Sequence, residues 1–241
     1  MGALDGRVAI VTGASSGMGR ATARLFAKEG AAVVLAARRG ELLHALADEV
    51  RDAGGSALSW PTDLTDRGAV ASLVATTLDQ FGGLHILCNP AGTNIKQRAL
   101  TELDPADWDG MVAINMTGAF NITRAVLPAM RAQRDGVIIH VSTGAVQAPD
   151  VSGVAYQASK HGMVGLAHGT MQEEKANGVR CTVIFPGLTD TPLIDKRPVP
   201  TPPEVIARAL QSEDVAAACL FVASLPPRAY VPDMRMLPSA L

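Results

Sequence analysis

A chain of 241 residues with 48% hydrophobic and 18% charged side chains can bury one large core, which excludes global disorder. Its formal net charge is -2 with no basic or acidic block, so it lacks the clustered Lys and Arg that a nucleic-acid surface needs. The longest apolar runs, such as 31–37, are far too short to cross a bilayer, and the first strand-like run begins near Arg7, leaving no room for a signal peptide.

Short β-branched runs alternate with longer helical patterns along the chain. Strands are predicted at 8–12, 32–36, 57–60, 86–88, 137–141, 179–185 and, more weakly, 230–237. Helices are predicted over 17–29, 41–53, 66–81, 105–131 and 156–176. The strands are almost continuously apolar, which requires a sheet covered on both faces. With right-handed crossovers this gives an α/β, doubly wound (Rossmann) fold. It is expected as a single domain over 1–241, with a seven-stranded, mostly parallel sheet and helices on both faces.

The segment 191–203 carries five prolines (Pro192, Pro198, Pro200, Pro202 and Pro203) and reads as a surface loop beyond the sixth strand. Pro232 inside the last run would remove a ladder donor, which suits an edge strand. Cys88, Cys181 and Cys219 are widely spaced among apolar neighbours and read as buried small hydrophobes. The five histidines show no metal-ligand spacing, so no metal is expected, and the default location is a reduced cytoplasm.

The chemistry begins where the first strand runs into Gly13-Ala-Ser15-Ser16-Gly17-Met18-Gly19 and a helix opens. Ligands of open α/β sheets bind at the carboxyl ends of strands. Glycines there permit a tight turn, and the helix N-terminus offers unpaired N–H groups to a pyrophosphate. The spacing is Gly-x-x-x-Gly-x-Gly; by itself it also describes a strand-to-helix turn that holds no ligand.

From this turn onward the chain resembles the short-chain dehydrogenase/reductase family. Thr12-Gly13 through Gly19 matches its T-G-x-x-x-G-x-G motif. Asp63, with Leu64 behind it, matches the family's adenine-contacting acid, and Asn89-Pro90-Ala91-Gly92 matches N-N-A-G with Pro90 as a departure. Trp108 and Asn115 resemble its W…N helix, Tyr156-Gln-Ala-Ser-Lys160 its Y-x-x-x-K, and Pro186-Gly187-Leu-Thr189-Asp-Thr191 its P-G-x-x-x-T. The likeness fades after about Pro192, and the family's D-G-G tail, often found at subunit contacts, is missing. The resemblance implies a nicotinamide dinucleotide bound by these segments, with Thr191 beside the carboxamide. It also implies self-association as a homodimer or homotetramer, and a small carbonyl or alcohol substrate.

In NAD-binding relatives an acid closes the second strand; here that place is Ala37, followed by Arg38 and Arg39. Two guanidinium forks suit a 2′-phosphate, so NADP(H) is expected, with NAD(H) as the alternative. Arg38 and Arg39 also stand before a helix whose dipole disfavours them, a local cost that suggests a compensating role.

Residues four apart share a helix face, so Tyr156 and Lys160 point the same way. Alone, that pair also describes an ordinary helical surface. The resemblance implies Tyr156 as general acid/base and Lys160 as the ammonium that lowers its pKa and holds the nicotinamide ribose. It further implies that Asn115 holds the water linking Lys160 to solvent. A hydroxyl completes the set: the family places it thirteen residues before the tyrosine, which is Thr143, and Ser142 beside it remains the competitor. The function expected is hydride transfer between NADP(H) and a carbonyl or secondary alcohol. The contrasting reading is a non-catalytic nucleotide-binding regulator or scaffold on the same fold.

Overall fold

The computed structural model describes residues 2–240. Seven strands run in chain order: β1 Val8–Thr12, β2 Ala32–Ala37, β3 Ser56–Pro61, β4 Ile86–Asn89, β5 Gly136–Val141, β6 Val179–Pro186 and β7 Asp233–Met236. They form one sheet in the order β3-β2-β1-β4-β5-β6-β7, and every adjacent pair is parallel. The helices are α1 Gly17–Lys28, α2 Gly40–Asp52, α3 Arg67–Phe81, α4 Pro105–Val112, α5 Gly118–Gln133, α6 Val154–Glu174, α7 Pro203–Ile206 and α8 Ser212–Ser224.

Alternation along each strand divides the core into two layers. Ala9 and Val11 of β1 pack with Phe26 of α1, Leu46 of α2 and Cys219 of α8. Ile10 faces the other way, toward Leu73 of α3, Val126 of α5 and Ala167 of α6. Each fully buried Val, Leu, Ile or Phe among them contributes roughly 1.5–3 kcal/mol, so both helical layers are held to the sheet along its length.

The chain builds β1, β2 and β3 outward on one side, then crosses back to place β4 on the other side of β1. That reversal opens a crevice at the carboxyl ends of β1 and β4, the usual ligand position in such sheets.

Three differences from the sequence reading have physical causes. The helix expected over 105–131 is broken by a π turn at Ala113–Thr117, where the Gly118 N–H reaches back five residues to the Ala113 carbonyl. No helix is expected over 212–224, yet α8 forms there; its run from Val215 to Val222 is apolar almost all round, which blurs the 3.6-residue period. Its first turn is acidic, and Asp214 Oδ2 accepts the Gln211 N–H at 2.8 Å, a pairing outside the Ser/Thr-x-x-Glu signature that sequence can show. Finally, β7 starts after Pro232, not before it, and the Pro232 carbonyl accepts the Val183 N–H at 2.9 Å. The edge position is as expected. Among the described residues no helix is long and apolar enough to cross a membrane.

Candidate active site

The glycine turn forms the floor of a cleft of about 490 Å³ at the crevice. Gly13 and Gly17 take φ values of 60° and 53°, where a side chain would be strained. A Cβ on Gly19 would stand 2.4 Å from the Gly13 carbonyl oxygen, so the first turn of α1 can close on the loop only with glycine there. Ser15, Ser16, Met18, Arg38, Arg39, Asp63, Leu64, Ala91, Gly92 and Thr191 line the same cleft.

Arg39 donates to Ser15 Oγ at 2.8 Å and to Ser16 Oγ at 2.7 Å, which lays its guanidinium beside the turn. Asp63 Oδ1 accepts from the Thr65 N–H and hydroxyl; those bonds, and then the charge of Arg38, hold its carboxyl below the usual range. Neither Arg38 nor Arg39 is in a salt bridge among the described residues. The small side chains of Ala36 and Ala37 complete that edge without a carboxylate.

Behind the cleft lies a buried polar chain. Thr12 Oγ1 donates to Asn89 Oδ1, and Asn89 Nδ2 lies 3.0 Å from His140 Nδ1. Because the amide donates, His140 Nδ1 accepts, which leaves Nε2–H for Thr123 Oγ1 at 3.2 Å. Burial, reinforced by the charge of Lys160, pulls His140 down to about 3, so it stays neutral. Asn89 is thus a buttress rather than a wall of the cleft. His140 was not singled out from sequence, although one imidazole in the apolar run Val-Ile-Ile-His-Val was a signal.

Helix α6 presents Tyr156 and Lys160 together, both buried. Lys160 Nζ sits 6.0 Å from the Tyr156 ring centroid and donates to the Val141 carbonyl at 2.9 Å. Burial lowers Lys160 to about 8. Burial dominates at Tyr156 and pushes its phenol up to about 12, with the neighbouring Thr143 side chain opposing it. A Cβ on Gly92 would stand 3.0 Å from Lys160 Nζ and 3.3 Å from Asn115 Oδ1, so the loop after β4 rests directly on this pair.

The two candidate hydroxyls diverge, as neighbours at a strand end should. Thr143 faces Tyr156, and its Oγ1 accepts the Ala145 N–H at 3.3 Å. Ser142 is buried and turns toward the Lys160 carbonyl at 3.5 Å. Asn115 sits in the π turn, a distortion frequent at functional sites. Its amide donates to the Thr93 carbonyl and to Ser159 Oγ, and its Oδ1 accepts the Thr93 N–H at 2.8 Å. Both donors of that side chain are committed to protein groups, so the amide ties α6 and the β4 loop together.

A second cavity of about 260 Å³ adjoins the first, bounded by Thr143 and Tyr156. Pro186, Gly187, Thr189 and Thr191 close its β6 side, with Leu188, Leu193 and Ile194 as apolar surface. Gly187 is pinned by its N–H to the Met236 carbonyl at 2.8 Å, and Thr191 packs where a Gly17 Cβ would be 3.3 Å away. Lys196 lines the first cleft, its Nζ donating to Thr93 Oγ1 at 2.8 Å.

The chain is similar to known proteins. The family model for short chain dehydrogenases matches residues 7–199. A 3-oxoacyl-[acyl-carrier-protein] reductase of Thermotoga maritima is 32% identical over 226 residues, covering 92% of each chain. A cis-4-hydroxycyclohexanecarboxylate dehydrogenase of Sinomonas cyclohexanicum is 39% identical, covering 90% of this chain and 89% of its own. A metagenomic short-chain oxidoreductase solved in complex with NADP superposes with a TM-score of 0.85 at 33% identity, over 99% of this chain and 100% of its own.

Proposed function

The chain belongs to the short-chain dehydrogenase family, and from that premise we propose that it is an NADP(H)-dependent oxidoreductase acting on a carbonyl or secondary-alcohol substrate. The observation that carries the reading is the convergence of the Tyr156 phenol and the Thr143 hydroxyl on one cavity, with Lys160 buried behind them. The cleft fits a dinucleotide phosphate: a tight turn that only glycine at 13, 17 and 19 allows, and two guanidinium groups outside salt bridges at the end of β2, which carries no acid. The solved relative that holds NADP supports the same choice. Arg38, Arg39 and Ser15 would hold the 2′-phosphate, Asp63 and Leu64 the adenine end, and Thr189 and Thr191 the nicotinamide end.

When bound, the nicotinamide supplies or accepts the hydride. Thr143 donates a hydrogen bond that fixes the substrate oxygen, and Tyr156 gives that oxygen its proton as charge develops on it. Lys160 then stabilises the phenolate left behind, and solvent restores the proton. A phenol pushed up to about 12 is protonated at neutral pH, which suits reduction of the carbonyl. Oxidation of the alcohol needs the phenolate and should quicken as pH rises. One domain over 1–241 then carries both nucleotide and chemistry, in the cytoplasm, and works as a homo-oligomer.

The test is a panel of ketones and aldehydes followed by loss of NADPH absorbance, with Tyr156→Phe as the control. General acid–base groups contribute about 10²–10⁴-fold, so the Phe variant should bind NADPH normally and lose turnover by that factor. Near-normal kcat in that variant defeats the mechanism. Tight NADPH binding with no turnover of any carbonyl points to a nucleotide-binding regulator.

A further inference from the structure

The cavity beside Tyr156 and Thr143 is lined by three arginines, Arg98, Arg197 and Arg235, and by one carboxylate, Asp150. Asp150 is partly committed elsewhere, since its Oδ1 accepts the Ser152 N–H at 2.8 Å. None of the three arginines is in a salt bridge among the described residues.

Arg98 is the most constrained of them. Its stem lies against Gly153, where an added Cβ would stand 2.7 Å from the Arg98 Cβ and where φ is 91°. Its terminal nitrogens reach the neutral carbonyls of Lys196 and, at 3.5 Å, Ser152. Its Nε is buried and has no hydrogen-bond partner. Burial and then the like charge of Arg197 weaken the hold of Arg98 on its proton, with Asp150 and Tyr156 opposing them. Arg197 itself donates only to Thr201 Oγ1, at 3.1 Å.

Two guanidinium groups lining one half-buried pocket, with the single carboxylate there in a salt bridge to neither, carry a desolvation and repulsion cost that Asp150 offsets only in part and that an anion would relieve. We propose that the substrate carries a carboxylate, bound by Arg98 and Arg197, only a few bonds from the carbon that reacts beside Tyr156. The substrate class is therefore a small oxo acid or its hydroxy acid. A planar two-oxygen anion matches the guanidinium fork, and a cavity of about 260 Å³ leaves little room between the anion and the reacting carbon. Arg235, exposed at the rim, adds positive potential for entry. This rests on the reading of the cavity as the substrate site.

Calorimetry on NADP⁺-saturated protein tests it without turnover, using benzoate, benzamide and phenyl phosphate as probes. Losing one charge-assisted hydrogen bond costs about tenfold in affinity or more. Benzoate should bind at least about tenfold more tightly than benzamide, and Arg98→Gln should erase that preference while leaving benzamide unchanged. If Arg98→Gln does not fold, Arg197→Gln must reduce the same ratio. Equal binding of benzoate and benzamide, or a ratio untouched by the folded variant, overturns the proposal. Tighter binding of phenyl phosphate overturns the carboxylate in favour of a phosphate. Benzoate bound through Arg98 in a protein that reduces no ketone would instead defeat only the catalytic reading.

Discussion

Thr143→Val removes a hydroxyl at nearly constant shape, and Ser142→Ala does the same for its neighbour, so the pair separates the two candidate roles. Thr143 meets the Tyr156 phenol, whereas Ser142 turns to the Lys160 carbonyl. The Val variant should lose most of its kcat/KM, on the order of tenfold or more, and the Ala variant little; the opposite ranking in steady-state kinetics would give the role to Ser142. The family's spacing from Tyr156 was enough to favour Thr143, whereas strand alternation alone says only that the two hydroxyls diverge. What was not legible was how burial orders the ionisations: a four-residue spacing shows that Lys160 lies near Tyr156, not that its N–H bonds the Val141 carbonyl. The end of β2 was plain in sequence because only a side chain's charge had to be read. Arg38→Ala should weaken NADPH binding about tenfold or more and leave NADH nearly unchanged, as titrations with each cofactor would measure. Equal losses for both cofactors would remove Arg38 from the 2′-phosphate site.

Between elements, the Thr12–Asn89–His140–Thr123 chain joins β1, β4, β5 and α5 directly behind the cleft. Its strength depends on pH through His140, whose folded pKa of about 3 lies below the ordinary 6.5. A depressed pKa gives stability that is complete above 6.5 and drains as pH falls, because the unfolded chain takes up the proton first; the loss ends near 3. By pH 5 it amounts to about 2 kcal/mol. His85, half-buried and also held low, adds to the same trend, so the control is His140→Asn. Urea unfolding should show that variant less stable than the parent at pH 7 but losing less between pH 6.5 and 5. Parallel losses in both proteins would mean that His140 does not titrate in the unfolding. Short apolar, β-branched runs between helical patterns were readable from sequence, β1 to β6 above all. The π turn was not, since one extra residue in a helix leaves no local signature, and α8 hid behind its uniform apolarity.

At the scale of the whole molecule, the parallel, doubly wound sheet followed from the alternation of strands and helices, but the outer surface did not, because pattern cannot tell a buried apolar face from one that awaits a partner. Trp108, Met116 and Phe120, on α4, the π turn and α5, remain 38%, 37% and 40% exposed. The extra residue of the π turn keeps them about one or two turns apart, near a single stripe. Met116 packs over Gly162 of α6, where a Cβ would stand 2.1 Å from its sulfur, while Gly165 and Gly169 beyond it meet nothing within 4 Å. Large apolar side chains beside a bare helix face offer a surface that a second copy of the chain can cover about a two-fold axis. Exposed apolar side chains grouped in this way mark association surfaces more often than scattered ones. Sedimentation at micromolar concentration should therefore give a mass of two or four times 25.0 kDa. Phe120→Glu places a charge in that contact and should shift the mass toward the monomer, with the melting temperature of the remaining fold little changed. A wild-type monomer under those conditions ends the prediction. An oligomer indifferent to Phe120→Glu would move the contact to another face, with Phe221 of α8, 50% exposed, as the next side chain to change.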